Sequence, residues 1–63
     1  MPEATAPLDL LRQLREVFKT DAEAFRRKEA SAWTRLEKQA MAGQAAACEY
    51  TVERIDATLR DWA

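Results

Sequence analysis

The 63-residue chain contains no histidine, one glycine, one cysteine and two prolines. Each scarcity removes a class of explanation. Without histidine, the usual general base near neutral pH is missing, and no serine–histidine or cysteine–histidine pair can form. The lone thiol, Cys48, excludes an intrachain disulfide and, with no histidine to join it, a cysteine/histidine zinc site within one chain. The di-iron pattern of helical bundles, a glutamate followed three residues later by histidine, is absent for the same reason. One glycine cannot make a glycine-rich phosphate loop. No apolar run approaches the roughly 20 residues of a membrane span. Met1-Pro2-Glu3 is not a basic leader and no apolar stretch follows it, so no signal peptide is expected. The default location is the cytoplasm, with the thiol reduced. No catalytic residue, cofactor site or metal site is expected, and the chain reads as non-enzymatic.

Charge is plentiful but balanced. Ten lysines and arginines face eleven aspartates and glutamates, for a net charge of -1. That balance argues against a strong general field for nucleic acid or for an anionic membrane. Chains this short bury only about 60% of their unfolded surface, and small domains make up the difference with disulfides, metals or oligomerisation. With the first two excluded, self-association or docking on a larger protein remains.

Both prolines lie at the front. Residues 1–6 read as a flexible lead in which Thr5 can cap a helix, and Pro7 suits a first helical turn. From Leu8 to Met41 there is neither glycine nor proline, and good helix formers dominate. Leu8, Leu11, Leu14, Phe18, Ala22, Phe25, Ala32, Trp33, Leu36 and Ala40 recur at intervals near three and four, which predicts one long helix over about 7–41. Gly43 is the natural helix terminator, and the turn is expected there. Beyond it Cys48, Val52, Ile55, Leu59 and Trp62 form a heptad seam on a helix over about 44–62. The expected fold is all-α: one domain over 1–63, an unequal helical hairpin that dimerises into a four-helix bundle. Two alternatives stand beside it. Thr20-Asp21-Ala22-Glu23 matches a capping box, so a break near Thr20 would give a three-helix bundle. The alanines at 45–47 would also allow a single rod running through Gly43.

In an unequal hairpin, the front of the long helix has nothing in its own chain to lie on. Two long helices placed antiparallel and crossing at Ala22 would set Arg15 of one chain against Glu29 of the other, Phe18 against Phe25 and Leu11 against Trp33. The expected interface is therefore Leu8, Leu11, Leu14, Arg15, Phe18, Ala22, Phe25, Glu29 and Trp33. The expected hairpin core is Leu36, Cys48, Val52, Ile55, Leu59 and Trp62, with Cys48 acting as a packed small hydrophobe.

Other groupings carry less. Glu49, Glu53 and Asp56 make a carboxylate ridge that reads as a solvated face, with Asp56 pairing to Arg60. Tyr50 reads as a lone surface tyrosine. The expected function is a non-catalytic protein–protein interaction module: a small adaptor, regulator, inhibitor or assembly subunit. Its expected partners are a second copy of itself and a larger protein, recognised through apolar positions at helical spacing. The alternative is nucleic-acid contact by a basic ridge of Arg12, Lys19, Arg26 and Arg27. The layout is similar to that of small dimeric RNA-binding hairpins such as Rop, without any motif match. Glu16, Asp21, Glu23 and Glu29 interleave with these cations and favour a mixed, salt-bridged surface instead. The alanine- and arginine-rich composition suits a bacterial or phage source.

Overall fold

A computed structural model describes residues 7–62. It is an all-α helical hairpin of two helices, α1 (Pro7–Ala30) and α2 (Arg35–Trp62), with no strand among the described residues. The lead over 1–6, including the Thr5 cap, lies outside the described residues.

Helix α1 begins at Pro7, whose missing N–H costs nothing in a first turn. Asp9 sits near the positive end of the helix dipole, and Arg27 and Lys28 near the negative end. The helix runs through Thr20 without a break, so the three-helix alternative is excluded. It stops at Ala30, well short of Met41.

The turn is not at Gly43. It spans Ser31–Thr34, and two hydroxyl side chains make it. The Ser31 hydroxyl donates to the Arg27 carbonyl at 3.2 Å and to the Lys28 carbonyl at 3.4 Å. The Ala32 amide closes a tight bond to the Glu29 carbonyl. Those contacts satisfy carbonyls that a helix end leaves open. Thr34 then starts α2: its Oγ1 accepts from the Glu37 amide at 3.0 Å, while Glu37 Oε2 reaches back to the Trp33 amide at 3.4 Å. Thr34-Arg35-Leu36-Glu37 is a capping box of the same form as the one at Thr20. At Thr34 it caps α2, whereas at Thr20 the helix runs on.

Gly43 lies inside α2 with an ordinary negative φ, and a Cβ built on it would meet nothing within 4 Å. The arms are therefore nearly equal, 24 and 28 residues. There is no surplus front portion, and there is no single rod.

The helices meet along two heptad seams. On α1 the seam is Leu8, Leu11, Arg15, Phe18, Ala22, Phe25 and Glu29, all buried or half-buried. On α2 it is Met41, Ala45, Cys48, Val52, Ile55 and Leu59, which continues the predicted seam backwards across Gly43. The buried apolar side chains are only Ala22, Ala45, Cys48 and Ile55, and no large side chain is fully covered among the described residues. The molecule measures 50 × 27 × 12 Å, too thin for a second layer of helices at the usual 8–10 Å spacing.

Three expected core or interface positions are corrected by this packing. Trp33 is 96% exposed, Leu36 77% and Trp62 74%. Trp33 falls in the turn itself. Leu36 lies in the first turn of α2, beyond the end of α1. Trp62 lies at the open end of the hairpin. Each lacks an opposing helix to cover it.

Candidate interaction faces

A single layer of two helices has two broad faces, and here they differ in chemistry. One is held by ion pairs. Arg15 donates from Nε to Asp56 Oδ1 at 2.5 Å and from NH2 to Oδ2 at 3.4 Å. Arg26 donates from Nε and NH2 to the two Glu49 oxygens at 2.9 and 2.6 Å, and from NH1 to Glu29 at 2.9 Å. Both are fork-on-carboxylate pairs across the helix–helix groove, a geometry the planar guanidinium favours. The hydrogen bond from Arg15 holds the Asp56 carboxyl below its ordinary range, and the bond from Arg26 does the same for Glu49. The same bonds raise both guanidinium pKa values. Lys19, Glu23 and Arg27 join Arg26, Glu49, Ala22 and Val52 around an open hollow of about 620 Å³ on this side.

These contacts relocate several expected partners. Arg15 and Glu29, proposed to meet across two chains, are each engaged within one chain, by Asp56 and Arg26. Asp56 takes Arg15 rather than Arg60. Glu49 and Asp56 are parted by their arginines, and no group of acidic or cysteine side chains among the described residues could hold a metal ion. Of the candidate basic ridge, Arg12 pairs with Asp9 at 2.9 Å and Arg26 with two glutamates, while Lys19 and Arg27 take part in none of the ion pairs among the described residues. Leu8, Leu11, Phe18, Ala22 and Phe25 all lie in the seam with α2. Cys48 is buried there as a free thiol. Tyr50 is exposed on the outer side of α2.

The other face is apolar along the front of α1, where Leu10, Leu14 and Val17 precede Asp21 and Lys28 in the same row. Leu10, Leu14 and Val17, at i, i+4 and i+7, stand about 100° round α1 from its seam, on the flank away from Arg15 and Arg26. They are 46–54% exposed. The corresponding flank of α2 carries Ala47, Thr51 and Thr58, on the side away from Glu49 and Asp56. The two threonines turn their hydroxyls back into the helix, Thr51 to the Ala47 carbonyl at 2.9 Å and Thr58 to the Arg54 carbonyl at 3.0 Å. Their methyl groups are what they present. At the open end, Pro7, Leu8, Leu11, Thr58 and Trp62 surround a hollow of about 550 Å³ with almost no polar lining.

Spacing identified Leu14 but not its neighbours. Leu10 and Val17 fall outside a stripe drawn through Leu14, and they become visible once Arg15 is recognised as the seam position. The signal was the strict three–four alternation through Arg15 and Glu29, which charge alone disguised.

No described helix is long and apolar enough to cross a membrane. No protein-family model, curated protein or solved structure matches the chain.

Proposed function

We propose that this chain is a non-catalytic helical protein–protein interaction module whose working surface is the apolar face of Leu10, Leu14 and Val17 on α1 with Ala47, Thr51 and Thr58 on α2. One observation carries the reading: the hairpin is a single helical layer that, among the described residues, buries four small or medium side chains and leaves a row of large apolar ones wet. Each large apolar side chain left exposed forgoes about 1.5–3 kcal/mol relative to full burial. A partner that completes a second layer recovers it, and helix faces read at i, i+4 and i+7 are a common way to do so.

The opposite face supports the division of labour. Arg15 and Arg26 there are matched by carboxylates in place, and Glu23 lies among Lys19 and Arg27, which favours a local, mixed field over a phosphate-binding ridge. A photo-crosslinking side chain at Val17, on the full chain in cell extract, tests the reading. A discrete protein adduct, whether with itself or with another polypeptide, is the expected result. No adduct, together with a chain that sediments alone, would overturn it.

A further inference from the structure

We infer that the occupant of the apolar face is a second copy of this chain, laid face to face so that α1 of each protomer lies over α2 of the other. This rests on the interaction reading above and names its partner and register.

The two halves of the face are complementary to each other rather than to themselves. The α1 half is bulky, with Leu10, Leu14 and Val17; the α2 half is shallow, with Ala47, Thr51 and Thr58. A two-fold axis parallel to the helices sets bulky over shallow twice, as closed symmetry requires. The other two-fold, perpendicular to the helices, would set α1 on α1 and α2 on α2. With that axis at Leu14, leucines would meet leucines, and the alanine–threonine strip would meet itself across a gap.

Symmetry also fixes the register. An axis along the helices moves nothing along them, so residues keep the levels they hold within one chain. The pairs Arg15–Asp56 and Arg26–Glu49 define those levels. Leu14 of one protomer then stands over Thr58 of the other, and Asp21 lies beside Arg54. Asp21 and Arg54 are exposed and make no ion pair among the described residues. Across the two-fold they have opposite charge at one level, twice.

The molecule extends 50 by 27 Å in the plane of the layer, against the roughly 800 Å² per partner that a stable interface buries. The opposite face, crowded with Lys19, Glu23, Arg26, Arg27 and Glu49, has charges to keep hydrated and stays outside.

Sedimentation equilibrium of the unmodified chain at micromolar concentration gives the first readout: a mass twice 7.2 kDa is expected. The second uses two variants in a Cys48→Ala background, Leu14→Cys and Thr58→Cys, mixed and oxidised after circular dichroism confirms that both are helical. A disulfide joining the two different variants, in excess over either self-linked product, is expected. A dimer linked chiefly Leu14→Cys to Leu14→Cys would overturn the register, because that product belongs to the other two-fold. A monomeric mass would overturn the second copy as partner. If Val17 then still gave an adduct with another polypeptide, the interaction reading would stand without it.

Discussion

Arg15 occupies a seam position of α1, where a leucine would be expected, and closes on Asp56 of α2 at 2.5 Å, across 41 residues of sequence. Its stem fills part of the groove while the guanidinium emerges at the edge to meet the carboxylate, so one side chain both packs and pins the helices. Only about a third of either side chain is exposed. Replacing Arg15 by methionine should keep the packing and lose the pin. Asp56→Asn should lose the same pin from the other side. Each is expected to lower the melting temperature by a small, measurable amount, and the double variant should fall close to either single one. Additive losses in that cycle would show that the two groups are not coupled.

Acid should loosen the hairpin through the same contacts. Asp56 and Glu49 both hold their protons less tightly when folded, because an arginine hydrogen-bonds the charged form. A carboxyl whose pKa is depressed by folding adds stability above its unfolded pKa and loses that contribution as pH falls through the folded value. The ordinary values here are 4.5 for Glu49 and 3.8 for Asp56. Stability should therefore be flat above about pH 5 and decline below it. Chemical denaturation across the acid range checks this. In an Arg15→Met, Arg26→Met double variant the decline should be shallower, and an unchanged slope would sever the link to these pairs.

Two substitutions decide where the chain turns. Thr34→Ala removes the acceptor for the Glu37 amide and should cost about 0.5–2 kcal/mol, the usual loss for a helix N-cap. Gly43→Ala should do the reverse. Its backbone is helical, nothing lies within 4 Å of the added methyl, and alanine in place of a mid-helix glycine gains about 0.5–1 kcal/mol. Were Gly43 the turn, that substitution would destabilise instead. Urea melts of the two variants should move in opposite directions from the parent.

The comparison between Thr34 and Gly43 shows what was legible in the residues. Helical class, the unbroken run through Thr20 and the seam from Cys48 to Leu59 follow from spacing, because burial along a helix repeats every three or four positions. The turn does not follow from glycine content. Glycine permits a left-handed exit, but a helix can end without one, and here the Thr34 hydroxyl caps the helix that follows. Thr20 and Thr34 carry the same capping pattern. Sequence alone does not separate them, since what differs is whether the helix so ended has a partner to pack on. Placing the turn ten residues late made the arms unequal and turned an ordinary seam into an apparent surplus. A turn at Gly43 also keeps Asp56 out of reach of Arg15, whereas Arg26 lies three residues from Glu29 on the same helix wherever the chain turns.

The last expectation concerns the two kinds of apolar residue in this molecule. Ile55 is buried against α1 and only 7% exposed, whereas Trp33 stands in the turn with almost its whole indole in water. Truncating a buried isoleucine to alanine costs about 2–5 kcal/mol in well-packed proteins. Here the groove is a single layer deep and can partly collapse, which puts Ile55→Ala near the low end, about 2 kcal/mol. Trp33→Ala should stay within about 0.5 kcal/mol of the parent, since an exposed side chain with no opposing helix has little to lose. Equilibrium unfolding followed by circular dichroism at 222 nm measures both. A large loss on removing Trp33 would mean that something covers the turn, and the single-layer account of the hairpin would have to be given up.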